Sequence, residues 1–199
     1  MPFLMSLSKK KKVNKATLRK KYKTLRTSLS QEQREDYSLA IANQLLKLDI
    51  WDYDYYHIFL PIDRLMEVDT AYILNILSGK DKNILISKSD FELGTMQHFL
   101  LLDNTKIKVS EYGIPEPVDG IEIAFAKAQV VFLPLLAYDN KGNRIGYGKG
   151  FYDKLLQATS EHLTKIGLSF FEPETVEFDT SPYDIPLDYC VTPEQVWKF

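Results

Sequence analysis

The sequence has few of the residues that mark several common protein classes. Cys190 is its only cysteine, so an intramolecular disulfide is excluded and a free thiol in a reducing compartment is expected. The three histidines, His57, His98 and His162, show neither a zinc-binding spacing nor a Ser–His–Asp pattern, and we expect core or surface positions for them. No apolar run approaches the roughly 18 residues that span a bilayer, and residues 1–7 are too short for the apolar core of a signal peptide. These absences favour a cytoplasmic protein without a membrane partner.

Acidic residues are missing from the first 31 positions. Ten of the 25 lysines and arginines precede Glu32, whereas all 27 aspartates and glutamates stand at or after it. A basic arm on an acidic body can bind nucleic acid, and that function stays open as an alternative. No aromatic residues interleave with the Lys9–Lys12 run, however, and no nucleic-acid motif accompanies it. We therefore expect a flexible basic tail over residues 1–13, a folded domain over residues 14–199, and no nucleic-acid partner.

The chain has enough apolar sequence for a full core, since 45% of its 199 residues are hydrophobic. Helical and strand patterns alternate along it, which is typical of α/β proteins. The predicted fold is a single α/β domain with a mostly parallel, open sheet and helices on both faces. The helices are predicted over residues 14–29, 30–48, 69–77 and 151–158, and the strands over 55–60, 84–87, 96–102, 130–133 and 165–170. Two prolines predict a rigid extended loop over residues 112–117.

The first predicted helix has an apolar stripe bordered by cations. The stripe consists of Leu18, Tyr22, Leu25 and Leu29. The cations along its edge are Lys15, Arg19 and Arg26, whereas Lys20 and Lys23 point elsewhere. Cations at such an edge can cover apolar surface with their stems or reach into a neighbouring cleft. A capping-box pattern, Ser30 with Gln33, opens the second helix.

The most informative segment is residues 138–153, which follow the apolar strand predicted at 130–133. Four of the nine glycines lie here within nine positions, together with Arg144 and Lys149. Glycine lets a backbone approach a ligand closely, and exposed N–H groups and cations attract phosphate. Neither the Walker A nor the dinucleotide-binding pattern fits the spacing. The segment therefore predicts a phosphate-binding loop of another type, with a glycine-rich surface turn as the alternative.

This segment resembles the signature of the 5-formyltetrahydrofolate cyclo-ligase (methenyltetrahydrofolate synthetase) family. The matching residues run from Asn143-Arg144 through the glycines to Phe151-Tyr152-Asp153. Further segments resemble the family in the same order, over roughly residues 14–192. They are Lys15-x-x-Leu18-Arg19, Phe59-Leu60 followed by Glu67-Val68-Asp69-Thr70, Pro115-Glu116-Pro117, and Asp184-Ile185-Pro186-Leu187-Asp188 followed by Val191-Thr192.

The resemblance implies a cytoplasmic, monomeric enzyme. It would use ATP and Mg²⁺ to convert 5-formyltetrahydrofolate into 5,10-methenyltetrahydrofolate, releasing ADP and phosphate. A different nucleotide or sugar-phosphate enzyme on a related sheet stays open, since it would keep the glycine loop without a folate pocket.

The resemblance also implies roles for particular residues. Catalysis is expected of Arg144 and Lys149. Nucleotide binding is expected of Lys15, Arg19, Arg144, Gly146, Gly148, Lys149, Gly150 and Tyr152. Folate binding is expected of Leu60, Glu67, Tyr147, Gly148, Lys149, Gly150 and Phe151, with Glu67 on the pterin's amino edge and the two aromatic rings stacked on the ligand. Metal binding is expected of Asp153 and Asp184, with Asp188 as a rival to Asp184. For Glu116, a ligand contact and an exposed turn position both stay open.

Overall fold

The computed structural model describes residues 12–159 and 162–199. Its helices and strands are, in chain order, α1 (Lys15–Thr27), α2 (Gln31–Leu45), β1 (Tyr55–His57), α3 (Ala71–Gly79), β2 (Asn83–Asp90), β3 (Thr95–Leu100), β4 (Ile107–Val109), β5 (Pro115–Pro117), β6 (Val130–Pro134), β7 (Ala137–Tyr138), β8 (Arg144–Ile145), α4 (Phe151–Gln157), β9 (Thr164–Leu168), β10 (Tyr189–Val191) and β11 (Val196–Lys198). Two 3₁₀ turns cover Asp63–Leu65 and Phe125–Lys127.

Seven strands form one sheet in the order β11-β10-β9-β6-β1-β2-β3. The inner strands, from β10 to β2, are parallel to their neighbours, and β11 and β3 add antiparallel edges. β6 occupies the middle position, and its residues 130–133 are buried, as expected for an apolar strand that is covered on both faces. The predicted mostly parallel α/β sheet is confirmed.

Helices cover both faces of this sheet, because side chains alternate between the faces along each strand. On one face, Phe132 of β6 packs in a cluster with Ile41 of α2 and Ile73 of α3. On the other face, Val131 packs in a cluster with Leu156 of α4. The prediction of helices on both faces is therefore confirmed.

The helix predicted near the start is present as α1, but one of its predicted core residues is wrong. Leu18 and Tyr22 are buried, whereas Leu25 is 38% exposed and Arg26 is only 3% exposed. Arg26 lies one turn after Tyr22 and donates a hydrogen bond to the carbonyl of Leu135. A leucine at this position could not donate a hydrogen bond to the buried carbonyl of Leu135. The helix therefore turns Arg26 inward and leaves Leu25 exposed.

Two other local predictions have different outcomes. The capping box is confirmed, because Ser30 and Gln33 make both of its hydrogen bonds, although α2 ends at Leu45 rather than near position 48. The loop predicted over residues 112–117 is wrong for its second half, because Pro115–Pro117 pairs with Ile107–Val109 as an antiparallel ribbon. The ribbon has only two strands, so its prolines can stand where no ladder N–H is required.

The predicted tail, residues 1–13, lies outside the described residues up to position 11. From there the chain is attached to the body, since the N–H of Val13 donates to the carbonyl of Glu177 at 2.8 Å. Among residues 12–159 and 162–199, no helix has both the length and the apolar character needed to cross a membrane.

Candidate active site

The glycine segment connects β8 to α4 and lies against α1. Gly148 and Gly150 have φ angles of 90° and 75°, in the left-handed region that other residues rarely adopt. At Gly148, a Cβ atom would also stand 3.2 Å from Cζ of Arg19. Arg19 in turn donates from Nε to the carbonyl of Gly146 at 2.9 Å. The glycines therefore allow the loop to approach α1 and its cations closely.

This loop borders a cavity of about 460 Å³ beyond the carboxyl ends of β1, β2 and β6, where ligands bind in open α/β sheets. All fourteen residues that the sequence assigned to a site line this one cavity. They are Lys15, Arg19, Leu60, Glu67, Arg144, Gly146, Tyr147, Gly148, Lys149, Gly150, Phe151, Tyr152, Asp153 and Asp184. The fold thus brings together positions that are up to 169 residues apart in sequence.

One part of the wall, which we call the charged end, consists of Lys15, Arg19, Arg144, Lys149, Asp153 and Asp184. Arg144 is buried and donates to Asp153 at 2.6 Å and to the carbonyl of Ile185. Lys15 donates to Asp184 at 2.5 Å. Partial burial acts to raise the pKa of Asp184, but hydrogen bonds from Lys15 and the N–H of Ser181 outweigh it and leave that pKa below its ordinary value. Asp184 is therefore ionised at neutral pH, and it is paired with Lys15.

Besides Lys15, two more lysines line the cavity. Lys149 is exposed, and it makes neither an ion pair nor a side-chain hydrogen bond in the part of the chain that the structure describes. Lys23 also lines the cavity, with Nζ 5.8 Å from the centre of the Tyr147 ring. The prediction that Lys23 points elsewhere is wrong, because the rotation of α1 that buries Arg26 also turns Lys23, three residues earlier, toward the cavity.

A second part of the wall, which we call the aromatic end, consists of Glu67, Ser87, Phe91, Tyr112, Tyr147 and Phe151. Glu67 is only 2% exposed. Its carboxylate accepts hydrogen bonds from the Tyr147 hydroxyl at 2.5 Å and from the N–H of Ile62 at 2.7 Å, while Arg26 donates to the same hydroxyl at 2.6 Å. Burial raises the pKa of Glu67, and Arg26 and Tyr147 oppose the shift. Glu67 is thus a buried hydrogen-bond acceptor. The Tyr147 hydroxyl connects it to the cation of Arg26.

Three further aromatic rings line the same cavity. Phe91 stacks on Tyr112 with ring centres 4.0 Å apart, and Phe151 meets Phe91 edge-on at 5.1 Å. Arg64 holds the segment that carries Tyr112, because it donates to the Tyr112 carbonyl at 2.6 Å. Sequence reasoning missed Phe91 and Tyr112, since isolated aromatic residues in connecting segments carry no signal of what they face.

His57 and His98 are buried and meet at one residue of the cavity wall. Nε2 of His57 lies 2.6 Å from Oγ of Ser87, and Nδ1 of His98 lies 3.4 Å from the same atom. Ser87 lines the cavity, whereas neither histidine does. The prediction of core positions is confirmed for these two histidines, and His162 is exposed.

Two carboxylates that the sequence left open do not line the cavity, and they support the fold. Asp188 accepts hydrogen bonds from the backbone N–H of Lys165 at 2.7 Å and from its ammonium at 2.8 Å. Glu116 is buried and accepts from the N–H of Ser89 at 2.7 Å. Asp188 thus fixes β9, and Glu116 holds the β4–β5 ribbon against β2.

A metal ion at the charged end would find two carboxylate oxygens. Arg144 and the N–H of Ile185 both use Oδ1 of Asp153, and Lys15 and the N–H of Ser181 both use Oδ2 of Asp184, so the second oxygen of each aspartate accepts no hydrogen bond within the described ranges. The same ranges contain no group of three or more His, Cys, Asp or Glu residues that could hold a metal. Mg²⁺ usually takes one or two protein carboxylates and completes its shell with water and phosphate oxygens. The residues present fit that coordination.

The fold and the cavity together define a class, the α/β enzymes that bind small molecules beyond the carboxyl ends of a mostly parallel sheet. Comparison with known proteins narrows that class. The model of the 5-formyltetrahydrofolate cyclo-ligase family matches residues 11–193, and the chain belongs to this family. The sequence-based assignment is confirmed.

Individual relatives agree with the family. The 5-formyltetrahydrofolate cyclo-ligase of Haemophilus influenzae is 30% identical over 128 residues, which cover 61% of this chain and 67% of that protein. The NMR structure of Aquifex aeolicus 5,10-methenyltetrahydrofolate synthetase aligns with a TM-score of 0.76 and 29% identity over 92% of each chain. The 5,10-methenyltetrahydrofolate synthetase of Mycoplasma pneumoniae aligns with a TM-score of 0.74 over 91% of this chain and 99% of that one, and at 18% identity it shows the shared fold.

Proposed function

We propose that the cavity is the active site in which this enzyme converts 5-formyltetrahydrofolate and ATP into 5,10-methenyltetrahydrofolate, ADP and phosphate, with Mg²⁺. One observation carries the proposal: a cationic glycine loop and a buried acceptor with an aromatic wall occur in the same cavity. The reaction needs these two environments side by side, because a phosphoryl group passes from the nucleotide to the folate.

The aromatic end suits the pteridine ring of the folate. Phe91 and Tyr112 present stacked faces against which a flat heterocycle can pack. Glu67 accepts hydrogen bonds and cannot donate them when ionised, so it suits the amino group and ring N–H of a pterin. Leu60 adds apolar surface. Tyr147, whose hydroxyl already bonds to Glu67, orients this carboxylate.

The charged end suits the triphosphate. Lys15 and Arg19 from α1 and Lys149 from the loop supply positive charge, and the left-handed glycines let backbone N–H groups approach phosphate oxygens. Phosphoryl transfer asks a protein mainly for positioning and for neutralisation of charge. The second oxygens of Asp153 and Asp184 would hold Mg²⁺, which supplies further neutralisation of the phosphates when bound.

The chemistry explains why ATP is consumed. The formyl carbon is a weak electrophile, because the lone pair of its nitrogen is delocalised into the carbonyl. The formyl oxygen attacks the γ-phosphorus, and ADP leaves. The second folate amine then adds to the formyl carbon and loses its proton, the carbon–oxygen bond breaks, and inorganic phosphate departs with both electrons. Arg144 and Lys149 are the groups that neutralise the charge on the transferred phosphoryl group.

The cellular setting belongs to the same proposal. We place the enzyme in the cytoplasm, which agrees with the buried, free thiol of Cys190. We also propose that it is a monomer. Light scattering after gel filtration measures the oligomeric state, and a mass of two chains would contradict it.

The direct test mixes purified protein with ATP, Mg²⁺ and 5-formyltetrahydrofolate and follows the absorbance of the methenyl product. We expect product, ADP and phosphate in equal amounts. Omission of ATP should abolish product formation, and Lys149→Ala should slow it strongly. If concentrated wild-type protein that gives a single cooperative melting transition forms no product, the proposal is wrong.

A further inference from the structure

One polar group at the aromatic end has no role in the mechanism above. Ser87, on β2, lines the cavity, and two buried imidazoles contact its hydroxyl. Oγ lies 2.6 Å from Nε2 of His57 and 3.4 Å from Nδ1 of His98, and the two rings meet edge to face with centres 5.3 Å apart. Within the described residues, this hydroxyl has no other hydrogen-bond partner.

Both imidazoles are neutral at neutral pH. Burial lowers the pKa of His57 well below its ordinary value, and the neighbouring His98 lowers it further. Burial likewise lowers the pKa of His98 to about 4. A neutral imidazole carries one N–H donor and one lone pair, so each ring must place its only proton on one of two nitrogens.

The surroundings decide which nitrogen carries the proton. The outer nitrogens, Nδ1 of His57 and Nε2 of His98, are buried and have no hydrogen-bond partner among the described residues. A buried N–H without an acceptor is rarer in proteins than an acceptor without a donor, and it carries the full cost of desolvation. Both protons therefore belong on the inner nitrogens, His57 Nε2 and His98 Nδ1, where each can donate to Ser87.

This arrangement fixes the direction of the serine proton. A hydroxyl oxygen accepts two hydrogen bonds through its two lone pairs, and the two imidazole N–H groups occupy both. The O–H of Ser87 then has no acceptor between the histidines, and the remaining direction is the cavity. An ordinary serine hydroxyl can either donate or accept a hydrogen bond with a ligand. The Ser87 hydroxyl can only donate, because both of its lone pairs are already occupied.

We propose that Ser87 is a substrate-binding residue that donates a hydrogen bond to the ring carbonyl oxygen of the pteridine, and that His57 and His98 position its hydroxyl. The proposal rests on the proposed function, since it identifies how that substrate is recognised. Ser87 thus recognises a hydrogen-bond acceptor of the ring, whereas Glu67 recognises its hydrogen-bond donors.

Ser87 and Glu67 line the same cavity. Tyr152 lines it as well, with its ring centre 6.0 Å from that of His57, which contacts Ser87. A 4-oxopteridine carries its carbonyl oxygen next to the ring N–H and the amino group. A donor at Ser87 and an acceptor at Glu67 therefore complement adjacent atoms of that edge.

The first experiment examines proton positions and needs no ligand. The chain has three histidines, so ¹⁵N-labelled histidine gives a small set of imidazole signals, and a His162→Asn variant removes the third ring from them. At neutral pH we expect the proton of His57 on Nε2 and that of His98 on Nδ1, the less common form of free imidazole. If either ring carries its proton on the outer nitrogen, Ser87 must give its own proton to that ring, and the proposal is overturned.

The second experiment measures binding of 5-formyltetrahydrofolate without ATP. Ser87→Ala should weaken binding roughly tenfold, the usual effect of one lost hydrogen bond, and Ser87→Thr should restore most of it because the hydroxyl returns. Ser89→Ala is the matched control, because Ser89 lies two residues along the same strand at the same wall but has no imidazole partner. It should change the dissociation constant less than twofold.

A ligand comparison separates the ring carbonyl from other acceptors. A 2,4-diamino analogue has an amino donor in place of this oxygen, so its affinity should be similar for wild type and Ser87→Ala. If Ser87→Ala does not fold, Ser87→Cys keeps the size of the side chain with a weak donor and should show the same loss. Wild-type binding that Ser87→Ala and Ser87→Cys leave unchanged overturns this proposal alone. Failure of the wild type to bind any folate overturns the proposed function as well.

Discussion

At the charged end of the cavity, Arg144 and Lys15 are held by aspartates that are themselves about a third and a fifth exposed. At the aromatic end, Glu67 and Arg26 are buried, and both are hydrogen-bonded to the hydroxyl of the partly buried Tyr147. The first set of contacts can exchange partners when phosphate and metal arrive, since water reaches it. The second set is fixed before any ligand binds, because a buried polar group cannot lose its partner cheaply.

This difference has a consequence for mutation. At the charged end, the exposed Lys149 can be changed at small cost to the fold, because it makes no ion pair or side-chain hydrogen bond among the described residues, whereas the buried Arg144 cannot. A residue at the aromatic end supports the fold and the ligand together, so its loss affects both. Substitution of Lys149 should therefore reduce activity without reducing stability, whereas substitutions at the aromatic end should reduce both.

The largest effect should come from Lys149→Ala at the charged end. We expect kcat to fall about a thousandfold, the range seen when one charge-stabilising group is removed from a transition state, with no change in melting temperature. Lys149 has no ion pair or side-chain hydrogen bond to lose in the described parts of the chain. Lys141→Ala, an exposed lysine of the same segment that does not line the cavity, is the control. A fall of less than fivefold would show that Lys149 does not contact the transferred group.

The next largest effect is a loss of stability at low pH caused by the buried His98, which contacts Ser87 of the aromatic end. The pKa of His98 falls from 6.5 to about 4 on folding because the ring is buried. Between these two pH values, the unfolded chain therefore binds a proton on this ring, whereas the folded chain does not. The free energy of unfolding should decrease by about 3 kcal/mol as the pH falls through this range. Urea unfolding at several pH values should show this slope in wild type and a smaller slope in His98→Asn. His162→Asn should keep the wild-type slope, and equal slopes in all three proteins would contradict the account.

A smaller effect is expected from the cation behind Glu67. Arg26→Met removes the positive charge that opposes the burial shift of the Glu67 pKa, so this pKa should rise further and more of the acid should be protonated. Folate should then bind about tenfold more weakly at neutral pH, the loss of roughly one hydrogen bond to a charged group. Binding by this variant should recover as the pH rises, because the carboxylate ionises again.

Two comparisons sharpen the Arg26 test. Arg26→Lys keeps the charge and should lie between wild type and Arg26→Met. Because Arg26 is buried and donates to the Leu135 carbonyl, its loss should also lower the melting temperature. Weaker binding that does not vary with pH would show that Arg26 acts through packing rather than through the charge of Glu67.

The smallest effect should follow deletion of residues 1–11. Among the described residues, none that lines the cavity precedes Lys15, so we expect kcat and the folate KM to change less than twofold. Steady-state kinetics of the shortened protein measures this. A large loss would favour a role for the basic arm in substrate capture.

The charged end could be predicted from sequence because half of its six residues lie in one contiguous signature. Gly148 and Gly150 need the left-handed backbone that only glycine adopts readily, and Arg144, Lys149 and Asp153 stand between or beside them. The alternation of apolar segments likewise predicted the sheet and its central strand. These features are local, so a linear pattern contains them.

The aromatic end could be predicted only in part, because its contacts depend on how distant elements pack. Leu25 and Arg26 lie on neighbouring sides of α1, and the helical pattern does not say which one turns inward; the Leu135 carbonyl and Tyr147 decide it. The pairing of β2 with β3 places Ser87 opposite His98, and the position of β1 beside β2 adds His57. No spacing along the chain indicates that these three residues meet.

We propose that one cavity holds the two ligands at two separate ends, and a crossed binding experiment tests this arrangement. Dissociation constants for ATP with Mg²⁺ and for 5-formyltetrahydrofolate are measured separately for Lys15→Met and Glu67→Gln. We expect Lys15→Met to weaken ATP about tenfold and to leave folate within twofold, and Glu67→Gln to weaken folate about thirtyfold and to leave ATP within twofold. Loss of both ligands in one variant, with both proteins folded, would contradict the separation of the two ends.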